Sequence, residues 1–242
     1  MLLALLVIFT AAFVQGLTSF GLTLVAVPFL LRIMSLQEII PIMVILSLLI
    51  NTYMLIGSRK QLKFKKFKLL VLAGILFLPV GTFALKYLEA NYLKLGFGIL
   101  VSAFAFLLML KKTFPIQREK TGYIVTGMLS GFLNGSLSSS GPPVALFLSM
   151  QGTDKNTFRA NITLYFLILN VITIGLFVAN GLLNLAMFGK ALSLAPALLS
   201  GVFVGSKLFK VIGEAAFRKL VLVVLIASGV WTTVSTVLQM VK

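Results

Sequence analysis

Two apolar runs, 2–33 and 121–152, are each interrupted near their middle, by QGLTSFGLTLVAVP at 15–28 and by NGSLSSSGPPVALF at 134–147. Six unbroken apolar runs accompany them, at about 36–57, 67–88, 91–110, 160–179, 184–206 and 216–239. With 60% hydrophobic residues, 11% charged residues and a mean hydropathy of +1.11, this is an integral membrane protein. Runs of this length predict helices and exclude a barrel. The first run lacks a basic leader and outlasts a signal-peptide core, which argues against cleavage.

The two interrupted runs constrain the topology most. At ~1.5 Å per residue each would extend about 50 Å as one helix, too long for a ~30 Å hydrocarbon core, whereas two full crossings need about 40 residues and a turn. A helical hairpin that enters the bilayer and returns fits, with its tip at Gly16 to Gly21 in the first run and Gly135 to Gly141 in the second. Irregular backbone at that depth is tolerated only where protein or a watery cavity satisfies its N–H and C=O groups.

The second constraint is self-similarity. A shift of 119 superimposes Phe13 on Phe132, Gly16 on Gly135 and Asn51 on Asn170, and one insertion brings Gly21 onto Gly141. Shifts of 124 and 125 bring Gly81 onto Gly205, Lys86 onto Lys210, Glu89 onto Glu214 and Lys94 onto Lys219. The order of the matches is kept, so the chain reads as a duplication of 1–112 as 120–242. Charge decides the orientation of the halves. With both interrupted runs re-entrant, 16 of the 21 Lys and Arg fall on one face, whereas single crossings would divide them 12 to 9. The positive-inside rule favours the hairpins and makes the basic loops cytoplasmic. Three full crossings per half then force the halves into opposite orientations. The expectation is an all-α polytopic membrane protein of two inverted repeats, each a re-entrant hairpin plus three transmembrane helices. The alternative is eight transmembrane helices in a parallel repeat.

The net charge of +16 does not imply nucleic acid, because the cations flank apolar segments, as in GSRKQLKFKKFK (57–68). Five scattered acids, no histidine and no cysteine leave no acid–base pair, nucleophile or metal cluster in the spans. No enzyme, metal or cofactor is therefore expected. The partners are the lipid bilayer and a small solute, with homo-oligomerisation left open.

That solute is expected to be an anion. A helix broken in mid-membrane turns unpaired N–H groups, and a partial positive charge, toward whatever occupies the break. Paired breaks in inverted halves are the usual pointer to a carrier's binding site. The first break offers the amides of Gly21, Leu22 and Thr23 and the hydroxyls of Thr18, Ser19 and Thr23, flanked by Gln15. In the second, Gly141 precedes Pro142 and Pro143, which suit a first helical turn but lack N–H donors. Ser138, Ser139 and Ser140, flanked by Asn134, must donate instead. Asn51 and Asn170, at matched positions inside apolar runs, face a cavity or bridge helices. Asn161 adds a polar group, and Arg159 either pairs with the anion or flanks the membrane. Gly127, Gly131 and Gly135, with Gly201 and Gly205, read as helix-packing ladders. Lys86, Lys94, Lys210 and Lys219 read as snorkelling ends.

The break followed by VAVPFLL (25–31), its partial repeat GPPVALFLSM (141–150), GSKLFK (205–210) and GTFALKYLEANYLKLGFGIL (81–100) resemble the TauE/SafE sulfite exporter family, also called the 4-toluene sulfonate uptake permease family. The resemblance covers nearly the whole chain. It implies transport of sulfite, sulfoacetate or a related sulfonate across the bacterial inner membrane. Family members often carry a glycine cluster where this chain has Thr18, Ser19 and Phe20, and again at Ser138 to Ser140. A secondary transporter working by alternating access is expected, with an anion channel or a facilitator for another small organic anion as the alternative.

Overall fold

The computed structural model describes residues 2–62, 67–89, 91–93, 95–96, 98–99 and 119–240. Most of the helix expected at 91–110, the junction of the two proposed repeats and Lys94 lie outside the described residues. The described chain is helical: α1 (Leu2–Thr18), α2 (Leu22–Leu30), α3 (Leu36–Ser58), α4 (Lys68–Tyr87), α5 (Glu119–Leu137), α6 (Gly141–Met150), α7 (Lys155–Ala179), α8 (Leu185–Val211) and α9 (Glu214–Met240). By length and composition, four stretches among the described residues can cross a membrane, namely Leu36–Gln61, Lys68–Tyr87, Lys155–Ala179 and Leu185–Val211.

Local chemistry sets the boundaries. Ser35 and Glu38 form a reciprocal capping box at the start of α3. Asp154 accepts from the amides of Asn156 and Thr157 and so starts α7 five residues before the apolar run predicted at 160–179. That correction carries Arg159 inside the helix. Asn184 caps α8 by accepting from the Met187 amide, and α8 runs five residues past its expected end. Apolar surface on the outside belongs in lipid: α4 exposes Leu72, Leu76, Val80 and Phe83 along one stripe.

The interrupted runs do break, over a shorter stretch than expected. Ser19 and Ser138, 119 positions apart, both hold left-handed backbone, with φ of 74° and 51°. Their amides make equivalent bonds, Ser19 N to Gln15 O at 2.7 Å and Ser138 N to Asn134 O at 2.9 Å. Gly16 and Gly135, expected at the tips, stay helical. Their role is close packing: a Cβ on Gly16 would meet the Val202 carbonyl and the Ser206 amide, and one on Gly135 the Leu78 carbonyl and the Thr82 amide.

These contacts repeat across the molecule. The largest helix pairings are α4 with α5 and α1 with α8, followed by α3 with α7. Gly81 lies against the Phe132 carbonyl and Gly205 against the Phe13 carbonyl, so matched residues exchange matched partners. Gly127 and Gly131 pack on Leu70 and Gly74, and Gly201 packs on Phe9, which makes the glycine ladders the packing seams they resemble in sequence. In lipid, dispersion contacts at such seams replace the hydrophobic drive that holds soluble cores together.

Candidate functional site

The two breaks meet. Thr23, in the first turn of α2, donates its hydroxyl to the Ser138 carbonyl at 2.7 Å. Gly141, at the start of α6, faces the Phe20 side chain, where a Cβ on the glycine would lie 3.0 Å from Phe20 Cβ and 3.1 Å from the ring. Between the breaks lies a cavity of about 20 Å³ lined by Gln15, Gly21, Thr23, Ser47, Ser139 and Phe166, with Ser138, Ser140 and Gly141 on the same wall. A cavity of that volume holds one water, since about 10–15 Å³ suffices. It is too small for a sulfur atom with three oxygens.

The hydroxyl inventory differs from expectation in a way the bonding explains. The Thr18 hydroxyl has two backbone acceptors for its one proton, Val14 O at 2.8 Å and Phe20 O at 2.7 Å, and so ties the end of α1 to the turn. The Leu22 amide, expected to be free, is accepted by Gln15 Oε1 at 3.1 Å. Ser130 donates to the Ser140 carbonyl at 2.9 Å. The Ser19 and Ser138 hydroxyls are buried and have no protein partner. Proline does occupy the first turn of α6, where its missing N–H removes no helical bond.

Beside the cavity runs a buried amide ladder. Gln15 Nε2 donates to Asn51 Oδ1 at 3.3 Å, and Asn134 Nδ2 donates to Asn170 Oδ1 at 3.4 Å. Both pairs span 36 residues, and each joins the helix before a break to the next long helix of the same half. Ser47 Oγ links them, accepting from Asn51 Nδ2 at 3.1 Å and Asn170 Nδ2 at 2.8 Å. Thr173 Oγ1 accepts from Asn134 at 2.9 Å. Ser47 and Thr173 escaped the sequence reading, although Ser47 sits one helical turn before Asn51 and Thr173 three residues after Asn170.

Arg159, in the second turn of α7, is buried among protein groups. Its Nη1 donates to the Gly16 carbonyl and its Nη2 to Ser206 Oγ, both at 2.6 Å, while the guanidinium lies 4.3 Å from the centre of the Phe209 ring. It lines a second cavity, of about 490 Å³, that does not include the tip residues. Asn161 is buried on α7 but lines neither cavity. Of the expected snorkelling ends, Lys86 reaches the Asn180 carbonyl at 3.2 Å and Lys210 borders the second cavity.

Three of the five acids serve the framework. Glu38 caps α3 and pairs with Lys190 at 3.5 Å, Asp154 caps α7, and Glu214 accepts from the Lys155 amide at 3.0 Å.

Long apolar helices, broken helices meeting in the interior and a hydroxyl- and amide-lined cavity define a polytopic membrane transport protein. The match to known families agrees: residues 4–232 fit the family described as Sulfite exporter TauE/SafE, and the chain belongs to it. At family level it is an anion-exporting permease and not an enzyme. No curated protein and no solved structure matches the chain.

Proposed function

We propose that the protein is a secondary carrier that binds a small sulfur oxyanion, such as sulfite, sulfoacetate or another sulfonate, between the two broken helices. The halves 1–112 and 120–242 act as inverted repeats that rock about this point, and α1–α2 and α5–α6 act as re-entrant hairpins. The carrying observation is the pair Ser19 and Ser138, matched in sequence shift, in left-handed backbone and in having a buried hydroxyl with no protein partner. A buried polar group without a partner is unfavourable, and strained backbone persists where a function holds it. Ser138 lines the tip cavity and Ser19 adjoins its lining residue Phe20; once the tips part, an oxyanion accepting from both hydroxyls relieves that penalty from two sides at once.

The other tip residues support the same reading in distinct roles. Gln15 and Asn134 orient the breaks through the amide ladder with Asn51 and Asn170. Ser139 and Ser140 stand where Pro142 and Pro143 supply no amide. The water-sized cavity fits a closed stage of a cycle in which the tips part to admit substrate, and it favours a carrier over a continuously open channel. The basic loops face the cytoplasm of an inner-membrane protein.

Reconstitution into proteoliposomes with labelled sulfite and sulfoacetate, beside a sugar and a cation, tests the proposal. Saturable movement of the sulfur oxyanions alone is expected, and uptake of only a neutral or cationic solute refutes it. Ser139→Ala is expected to raise KM without changing expression, and unchanged kinetics would remove Ser139 from the site.

A further inference from the structure

The larger cavity holds a charge that the tip chemistry leaves unused. Arg159 is 6% exposed, its two hydrogen bonds end on the neutral oxygens of Gly16 and Ser206, and among the described residues no carboxylate pairs with it. A guanidinium withdrawn from water without a counter-charge is heavily penalised. In a membrane-spanning helix such a residue points to function and calls for a partner. The cavity beside it has room for one: about 490 Å³, inside the ~300–1,000 Å³ range of small-molecule sites. Lys207 and Lys210 add two cations to the lining, which contains no acid among the described residues. The wall also carries Tyr53, Met54 and Phe203, with the Lys207 ammonium 4.3 Å from the centre of the Phe203 ring, so that apolar surface and cation adjoin.

The geometry points to a second anion site, a vestibule that takes a small organic anion, its head group on Arg159 and its short carbon chain against Tyr53, Met54 and Phe203, with alkanesulfonates as the probe. The vestibule and the tip cavity share no lining residue. Arg159 connects them, because the carbonyl it holds belongs to Gly16, the neighbour of Gln15 on the tip cavity. The guanidinium has five N–H donors, so an anion can dock on those left free while both protein bonds persist. The site shares only its head-group chemistry with the carrier proposal, and its test reads docking and not transport.

The chain has no cysteine, so Gln61→Cys places a single thiol on the vestibule wall of the otherwise unaltered full-length protein. The thiol is modified with a sulfonatoethyl methanethiosulfonate and with its trimethylammonium analogue, each rate divided by that reagent's rate with free cysteine. The anionic reagent is expected to react about tenfold faster by this measure, as electrostatic steering into a cationic cleft requires. Propanesulfonate is expected to protect the thiol at about tenfold lower concentration than methanesulfonate, because two more CH₂ groups meet the apolar wall. Sulfite itself is not used, since it attacks the reagents.

Arg159→Gln is expected to lower the anion preference severalfold and to abolish the protection, and Arg159→Lys to retain part of both. Where Arg159→Gln fails to fold, Lys207→Gln combined with Lys210→Gln replaces it and is expected to lower the preference severalfold. Equal normalised rates, absent protection, protection indifferent to chain length, or a preference and protection unchanged by these substitutions overturn the proposal. Protection by propanesulfonate in a protein that moves no sulfur oxyanion would refute the carrier reading and leave the vestibule standing. Transport without protection would do the reverse.

Discussion

Replacing Ser19 and Ser138 by glycine should stabilise the protein while damaging transport. Both residues hold positive φ, 74° and 51°, which is disfavoured for an L-residue by about 1–2 kcal/mol. Glycine removes that strain but loses about 0.5–1 kcal/mol through its freer unfolded chain, leaving a net gain of about 0.5–1 kcal/mol. Both hydroxyls are buried without a protein partner, and deleting each contributes about 1 kcal/mol more, the lower end of the penalty for an unsatisfied buried group. Each glycine is thus expected to stabilise by about 2 kcal/mol, an apparent Tm rise of about 4–8 °C for a chain of this size. Alanine removes the hydroxyl but keeps the strain, so its gain is about half as large. Thermal unfolding of the detergent-purified variants measures the order, glycine above alanine above wild type. Transport should move the other way. Losing a hydrogen bond to a charged ligand, at about 1.5–3 kcal/mol, raises KM about tenfold to a hundredfold. A fall in Tm for the glycine variants refutes the strain argument. A rise in Tm with unchanged KM refutes the assignment of these hydroxyls to substrate.

Other perturbations separate packing from chemistry. Gly81→Ala and Gly205→Ala each drive a methyl into a backbone carbonyl, of Phe132 and of Phe13; each should lower stability by about 1–3 kcal/mol, seen as a fall in Tm of similar size for the two. Gly175→Ala, on α7 with open space around it, should instead raise stability by up to about 1 kcal/mol through helix propensity. Asn51→Ala and Asn170→Ala each strip a partner from Ser47 Oγ and should destabilise by about 1–3 kcal/mol. The double variant should fall measurably short of the sum, since the two amides share that oxygen. Glu38→Gln, which weakens a cap and an exposed ion pair, should change stability by less than about 1 kcal/mol and leave the pH profile of transport unmoved; a displaced profile would make Glu38 a coupling group.

Much of the architecture was legible because its signals are local. The length of an apolar run reports whether a helix can cross a bilayer. Glycine, proline and consecutive hydroxyl residues report where regular winding fails, so both interruptions were located to within a few residues. The ordered matches at shifts of 119 to 125 paired Gly81 with Gly205 and Phe13 with Phe132, and the structure sets Gly81 against the Phe132 carbonyl and Gly205 against the Phe13 carbonyl. Helix starts were less legible: Asp154 captures two amides ahead of the apolar run, and that one cap places Arg159 inside α7.

Composition, run length and internal matching determined by themselves that this chain is a helical membrane protein with two related interruptions. Tertiary structure alone decided that the interruptions touch through Thr23 and Ser138, that Ser47 links two amide pairs, and that Arg159 reaches Gly16 across 143 residues. The physical reason is distance along the chain. A cap, a turn or a span is specified within one or two helical turns, whereas these contacts exist only after glycine-lined helices from opposite halves have closed on one another, and no short stretch of sequence encodes which polar groups that closure brings together.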